Sequence, residues 1–193
     1  MKSQARREKI LRVLSHRQPD ATIVMENIHD PHNVSAIFRS ADAVGIPEVQ
    51  LVYTNTLFPK IGKKSSSSAN KWVTKRRFAT VKECYDTLHG EGYQIYATKL
   101  DVHAKPLYAF DLTQKVAIVM GNEHAGVSDE AAELADGTIM IPMMGMIQSL
   151  NVSVAAAVTL YEMLRQRLAA GKYGTSGYAP EAFDALHAEW LEK

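Results

Sequence analysis

The sequence is poor in the features that mark secreted, membrane-spanning and disulfide-bonded proteins. Its 193 residues include a single cysteine, Cys84, so no internal disulfide can form and a reducing compartment is expected. No apolar run approaches the length of a membrane span, and the opening residues, MKSQARREKI, contain no apolar signal core. These absences predict a cytoplasmic protein that does not enter a membrane.

Several common cofactor motifs are also missing. The sequence contains neither the dinucleotide fingerprint G-x-G-x-x-G nor the phosphate-binding pattern G-x-x-x-x-G-K-[ST]. Its seven histidines are scattered, no H-E-x-x-H occurs, and no cysteine–histidine cluster has metal-ligand spacing. A nicotinamide enzyme, a nucleotide hydrolase and a zinc enzyme therefore lose support, and no metal is expected.

Positive charge is concentrated in two short stretches, although the net charge of the chain is only +1. Residues 1–17 hold six basic residues against Glu8 alone, and residues 60–77 hold seven basic residues and no acid. Either stretch alone is compatible with an ordinary solvated surface. Together, and with Trp72 and Phe78 interleaved, they indicate a nucleic-acid partner. The candidate contacts are Arg6, Arg7, Arg12, Lys63, Lys64, Lys75, Arg76 and Arg77.

Strand-like and helix-like segments alternate along the chain, which predicts an α/β fold with a mainly parallel sheet flanked by helices. The expected strands are 21–26, 48–53, 72–78, 93–98, 116–120 and 137–141. The expected helices are 2–15, 33–44, 81–89, 129–135, a long one from about 151, and 180–190. A serine-rich stretch, 60–70, is expected to face solvent. Ligands bind beyond the C-terminal ends of parallel strands, which lead here into loops 27–33, 121–127 and 142–150. The order of elements does not show whether these loops converge.

The most distinctive stretch is IPMMGMIQSLNVSVAAAVTLYEMLRQR, residues 141–167. A loop bounded by proline and glycine leads into a helix whose first turn Ser149 or Asn151 can cap. The N-terminus of a helix presents unpaired N–H groups and the positive end of a dipole, which suits a polar or anionic ligand. The four methionines between Met140 and Met146 either fill a buried turn or line a ligand pocket, and this stretch alone supports both.

Three patterns follow one another along the chain. They are Asn33-x-x-x-x-x-Arg39 in NVSAIFRSADAVG, Gly121-x-Glu123-x-x-Gly126 in IVMGNEHAGVS, and the stretch from Ile141 described above. Together they resemble the signature motifs of the SpoU branch of the SPOUT RNA ribose 2′-O-methyltransferases. The resemblance covers about residues 17–174 and is strongest to the group that acts on guanosine 18 of tRNA.

This resemblance implies a SPOUT fold with a deep trefoil knot near the C-terminus, S-adenosylmethionine as cofactor, RNA (tRNA above all) as substrate, and a homodimer whose sites draw on both subunits. It implies an N-terminal basic helix (1–17), a methyltransferase domain (18–174) and a helical tail (175–193). The four methionines would then form an adaptable wall for adenine. The implied cofactor contacts are Thr98, Gly121, Ile141, Ser149 and Leu150. The implied catalytic residues are Asn33, Arg39, Glu123, Ser149 and Asn151.

Each candidate residue also has a purely structural interpretation. Arg39 can be a surface residue paired with Asp42, Glu123 a charge at a helix N-terminus, and Asn33 a simple cap. If Arg39 is catalytic, its permanent proton favours stabilisation of a developing alkoxide over proton removal. Two functional alternatives stay open: methylation of another tRNA or rRNA nucleotide, and a catalytically silent RNA-binding relative. The intact motifs argue against the silent relative.

Overall fold

The computed structural model describes residues 3–59 and 69–193. Within these ranges the chain forms seven strands: β1 (Ala21–Glu26), β2 (Glu48–Val52), β3 (Thr74–Phe78), β4 (Gln94–Thr98), β5 (Lys105–Pro106), β6 (Val116–Met120) and β7 (Gly137–Met140). They build one sheet in the order β3-β2-β1-β6-β4-β7-β5, in which each neighbouring pair is parallel. The expected α/β fold with a parallel sheet is confirmed.

The helices also follow the sequence pattern closely. Their bounds are α1 (Gln4–Ser15), α2 (Pro31–Ala43), α3 (Ala69–Trp72), α4 (Val81–Gly90), α5 (Asp129–Glu133), α6 (Val152–Ala169) and α7 (Pro180–Glu192). Thr80 and Ser128 cap α4 and α5 as expected, because each side-chain oxygen accepts a hydrogen bond from an N–H group in the first turn. Gly45 follows the C-cap of α2 with a φ of 87°, which a residue with a side chain rarely adopts.

The two central strands, β1 and β6, are buried along their whole length, and helices cover both faces of the sheet. Successive side chains of a strand point to opposite faces. Ile23 and Met25 therefore pack into the core beneath α2 and α6, whereas Val24 packs into the core beneath α4 and α5. This arrangement fixes the carboxyl ends of β1 and β6 side by side at the centre of the molecule.

A smaller cluster joins the two ends of the described chain. Ile10 and Leu14 of α1 pack against Trp190 of α7, and the ring of Trp190 lies 4.8 Å from the ring of Trp72. Arg17, which belongs to the basic N-terminal stretch, is fully buried beneath this cluster and donates to the carboxylate of Asp42 at 2.6 Å. Arg17 is therefore a structural residue and not a surface cation.

A second buried arginine ties the end of α6 to the start of β1. Arg167 is fully buried and donates to the carboxylate of Asp20 and to the backbone carbonyls of Leu112 and Gln114. Lys172 donates to the other carboxylate oxygen of Asp20 at 2.7 Å. We call this group the Arg167 clip; it lies at the amino edge of the sheet, away from the loops that leave β1 and β6.

Three short elements have no counterpart in the sequence analysis: α3, β5 and a 3₁₀ turn over Leu107–Ala109. Each is four residues long or less, which is too short for a hydrophobic period to develop. The candidates Lys63 and Lys64, with most of the serine-rich stretch, lie outside the described residues. Across the ranges that are described, no helix combines the length and the apolar character needed to cross a membrane.

Candidate active site

The polar loops that follow β1 and β6 meet at the carboxyl edge of the sheet. The strands are parallel neighbours, so their exits are adjacent. The carboxylate of Glu123 accepts hydrogen bonds from the Asp30 N–H at 3.0 Å, from the Asn33 side-chain amide at 3.1 Å and from the His29 N–H at 3.3 Å. Loops 27–33 and 121–127 therefore form one unit, which we call the Glu123 network.

Glu123 has an unusual electrostatic setting for a loop carboxylate. Its side chain is only 12% exposed, and the Nδ1 atom of His29 lies 2.9 Å from Oε2. Burial alone would raise the pKa of Glu123, but the hydrogen bonds from Asn33 and from the backbone N–H groups outweigh burial and hold this pKa below its usual value. The carboxylate is therefore charged at neutral pH.

Asn33 is not the cap of α2, and Glu123 places its carboxylate at the N-terminus of α2, not of α5. Asp30 is the N-cap of α2, because its carboxylate accepts from the His32 N–H at 2.8 Å. Asn33 lies in the first turn of α2, where its buried side-chain amide donates to Glu123. Glu123 is not part of α5; it binds the loop that precedes α2. Both residues are committed to the contact between the two loops.

Asn27 extends the Glu123 network to the exit of β2, and the sequence analysis did not identify it. Its φ of 50° lies in the left-handed region, which asparagine tolerates better than most residues. Its side-chain oxygen accepts from the Thr54 N–H at 2.9 Å, and its backbone carbonyl accepts from the side-chain amide of Asn122 at 2.8 Å. An asparagine directly after a buried strand was the available signal.

A cavity of about 390 Å³ opens beside the Glu123 network, between the exits of β4, β6 and β7 and the first turn of α6. Loops 121–127 and 142–150 both line it, so they converge, and Glu123 lies in the wall that the cavity shares with the network. The five residues implied as cofactor contacts all line this one cavity: Thr98, Gly121, Ile141, Ser149 and Leu150.

Gly121 is required by the shape of the cavity wall. A Cβ atom added to Gly121 would lie 2.1 Å from the backbone of Gly126 and of Val127, closer than any real Cβ approaches another atom. The backbones of Asn122 and Gly126 exchange two hydrogen bonds of 2.9 Å, which close this tight turn. The strand exit can therefore fold back on itself only if residue 121 has no side chain.

The lining of the cavity fits S-adenosylmethionine. Leu100, Ile139 and Val152 supply apolar surface for a flat ring, whereas Gln148 and Ser149 supply polar groups for a ribose or an amino-acid arm. Its volume lies within the range of about 300–1,000 Å³ that is usual for small-ligand sites. Among the described residues, no group of histidine, cysteine or carboxylate side chains is arranged to hold a metal ion.

The expected methionine wall is only half right. Met140 and Met143 line the cavity. Met144 and Met146 are 93% and 100% exposed and do not line it. A proline- and glycine-bounded loop has no hydrophobic period, so the sequence could not distinguish the inward methionines from the outward ones.

Three of the five expected catalytic residues, Asn33, Arg39 and Asn151, do not line this cavity. Arg39 is exposed on α2 and makes no hydrogen bond or ion pair with any described residue; the alternative pairing with Asp42 is wrong, since Asp42 binds Arg17. Asn151 is the N-cap of α6 and accepts from the Ser153 N–H at 2.9 Å. Ser149 lines the cavity.

The basic candidates in the described ranges differ in their surroundings. Arg7 and Arg12 are exposed on α1, and Arg6 is half-buried there. On β3, Arg76 forms a bidentate ion pair with Glu91, with distances of 2.6 and 3.0 Å, and these hydrogen bonds raise the pKa of Arg76 above its usual value. The charge of Arg76 is therefore already matched by a carboxylate.

Comparison with known proteins identifies clear relatives. Residues 20–161 match the SpoU rRNA Methylase family. The chain is 46% identical over 192 residues to the tRNA (guanosine(18)-2′-O)-methyltransferase of Thermus thermophilus, covering 100% of this chain and 98% of that protein. The Aquifex aeolicus TrmH/SpoU tRNA modifying enzyme superposes with a TM-score of 0.91 at 34% identity, over 98% of this chain and 96% of that chain. The methyltransferase AviRb of Streptomyces viridochromogenes, in complex with AdoMet, superposes with a TM-score of 0.68 at 29% identity, over 79% and 62% of the two chains.

Proposed function

This chain belongs to the SpoU rRNA Methylase family, and from that premise we propose that it transfers a methyl group from S-adenosylmethionine to the 2′-hydroxyl of guanosine 18 in tRNA. The observation that carries the proposal is the cavity beside the Glu123 network, because the five residues implied as cofactor contacts all line it. The substrate follows from the Thermus thermophilus and Aquifex aeolicus relatives, which match nearly the whole chain.

The cofactor would be held by the exits of three strands and the start of α6. Leu150 and Ile141 would contact its apolar parts, and Thr98 and Ser149 its polar parts. The hydroxyl of Thr98 donates to the Val119 carbonyl at 2.7 Å, which fixes the orientation of this side chain in the wall. When bound, S-adenosylmethionine supplies an electrophilic methyl group on a sulfonium centre.

The Glu123 network would position the RNA side of the reaction. A ribose 2′-hydroxyl is a weak nucleophile, so the site must align it, and alignment alone can be worth about 7–11 kcal/mol. Asn33 and Glu123 form a rigid pair between the cavity wall and α2. Arg39, which stays protonated, would stabilise negative charge on the ribose oxygen and bind an adjacent phosphate.

A homodimer would complete the site, as the family resemblance implies. Within one chain Arg39 and Asn151 do not line the cavity. Val154, Tyr161 and Leu168 recur every seven residues on α6 and are 47%, 53% and 56% exposed. Residues at this spacing share one face of a helix, and the loop before α6 exposes two more apolar side chains, Met144 and Met146. A second copy packed on this apolar face would bring the partner's polar residues to each cavity.

We also propose the three-part division of the chain into residues 1–17, 18–174 and 175–193. The exposed Arg7 and Arg12 of α1 support a role for the first part in RNA binding, and α7 packs on α1 to hold it in place. The cytoplasm, where tRNA is modified, would be the site of action. The proposal involves no metal and no membrane.

The direct test is methylation of total tRNA and of rRNA with isotopically labelled S-adenosylmethionine, followed by mapping of the labelled ribose. We expect label at guanosine 18 of tRNA. A tRNA transcript that carries adenosine at position 18 is the control and should take up little label. Label at another nucleotide would overturn the substrate, and the absence of label in every RNA would overturn the enzyme function.

A further inference from the structure

The three consecutive cations of β3 point to opposite faces of the sheet. The Nζ atom of Lys75 lies 5.4 Å from the ring centre of Phe38 on α2, and the guanidinium of Arg77 lies 4.9 Å from the ring centre of Phe58. Arg76, between them, reaches the other face and binds Glu91. Because side chains alternate along a strand, Lys75 and Arg77 share the face that carries α2 and Arg39.

Arg77 differs from Arg76 in having no carboxylate partner. It is exposed and forms no ion pair with any residue of the ranges 3–59 and 69–193. The remaining residues, 1–2 and 60–68, contain no aspartate or glutamate, so no acidic side chain can come from them. The contact with Phe58 therefore holds the guanidinium in place without neutralising its charge.

The Phe58 ring is connected to the Glu123 network through Tyr53. The two rings meet edge to face, with centres 5.3 Å apart, and the Tyr53 hydroxyl donates to the Ile28 carbonyl at 2.7 Å. Ile28 immediately precedes the His29 and Asp30 N–H groups that bind Glu123. Burial raises the pKa of Tyr53, the Glu123 carboxylate raises it further, and Arg77 lowers it.

We propose that Arg77, supported by Phe58, stacks on an unpaired base next to the methylated ribose and binds the phosphate of that nucleotide, while Lys75 contacts the same strand and Arg76 contacts no RNA. Guanidinium planes and aromatic rings are the groups on which proteins stack unpaired RNA bases. An exposed cation without a carboxylate partner is complementary to a phosphate. This inference rests on the proposed function and adds to it the surface along which the substrate strand leaves the site.

The test is binding of a tRNA transcript, measured by filter retention over a salt series. It compares variants that change the charge or the stacking surface of this site separately. Arg77→Ala should weaken binding at least about fivefold, the lower end of the loss of one stacked base, and should reduce the log–log salt slope by about 0.7–0.9. Arg77→Lys should keep the slope but still weaken binding, because an ammonium group cannot stack. Phe58→Leu should weaken binding with the slope unchanged. Arg76→Ala is the control and should stay within about twofold of the unmodified protein.

Binding within twofold for both Arg77→Ala and Phe58→Leu would overturn the inference, and so would an equal loss for Arg76→Ala. Thermal unfolding and calorimetric binding of S-adenosylhomocysteine should be the same for the Phe58→Leu and Arg77→Lys proteins as for the unmodified one, which separates loss of RNA contact from loss of fold. If the unmodified protein methylates no RNA, the proposed function fails; if it methylates tRNA and the variants bind normally, only this inference fails.

Discussion

Replacement of Glu123 by glutamine tests whether a charged carboxylate holds the two loops of the site together. Oε1 of Glu123 accepts from the Asp30 N–H and the Asn33 amide, and Oε2 accepts from the His29 N–H with the His29 ring 2.9 Å away. A glutamine has the same size but only one oxygen. If this oxygen replaces Oε1, the new amide nitrogen faces the backbone N–H of His29, so that one donor meets another.

The magnitude follows from these contacts. A hydrogen bond to a charged group contributes about 1.5–3 kcal/mol to stability, and His29 is exposed enough for water to replace part of what is lost. We expect the free energy of unfolding to fall by about 1–3 kcal/mol. The activity should fall further, by about a hundredfold, because a shift of 1 Å in positioning groups can have an effect of this size.

We also expect the Glu123→Gln protein to differ from the unmodified one in how its stability depends on pH. The pKa of Glu123 is lower in the folded protein than in the unfolded chain. The stability that this group contributes is therefore complete above the unfolded pKa, about 4.3, and is lost as the pH falls through the folded value. The difference in stability between the unmodified and the Gln proteins should be largest near neutral pH and should shrink below about pH 4.

Urea unfolding from pH 3.5 to 7 measures the first and third effects, and single-turnover methylation of tRNA measures the second. Glu133→Gln, at an exposed position of α5, makes the same change of charge at a residue without a partner in the described part of the chain. It should change neither the free energy of unfolding nor the rate of methylation. The reasoning would be refuted if both variants had the same stability and the same activity at neutral pH.

Three further changes test other parts of the structure. Gly121→Ala should abolish calorimetric binding of S-adenosylhomocysteine, because the added Cβ would lie 2.1 Å from backbone atoms. Gly145→Ala is the control and should bind normally, because there is open space around residue 145. Equal binding by the two variants would refute the argument. Arg39→Ala should lower the rate of methyl transfer at least a hundredfold with cofactor affinity within about threefold, and a loss of less than tenfold, about 1.4 kcal/mol, would show that Arg39 is not pivotal. Asp20→Asn should lower the urea-unfolding free energy by about 2–3 kcal/mol, because it leaves the buried Arg167 without its carboxylate, and an unchanged midpoint would contradict this.

The elements of the fold were accessible from the sequence because their signals are local. Three kinds of signal each depend on neighbouring residues: the apolar runs of β1 and β6, the caps Thr80 and Ser128, and the end of α2 shortly before Gly45. The order of strands was not accessible. Nothing local shows that β6 inserts between β1 and β4, and this insertion is what brings loops 27–33 and 121–127 together.

The site residues divide in the same way. Thr98, Gly121 and Leu150 were placed by motif resemblance and line one cavity. The pairing of Asn33 with Glu123 joins residues 90 positions apart and could be found only in three dimensions. Arg76 differs from Lys75 and Arg77 because its charge is paired with Glu91. The sequence does not show that Glu91 lies beside β3. A count of charges treats the three cations as equally available to RNA, whereas the ion pair with Glu91 neutralises the charge of Arg76.

The Arg167 clip has a consequence for how the folded chain persists. Asp20 and Arg167 are 147 residues apart in sequence, so their contact closes a loop that contains the whole sheet. We expect a contact of such long range to form late in folding, because the entropy of closing the loop opposes it until other contacts are in place. Interactions absent from the transition state act on the unfolding rate and leave the folding rate almost unchanged. The clip should therefore act as a kinetic latch: its loss would shorten the lifetime of the native state, while refolding would proceed at nearly its original speed.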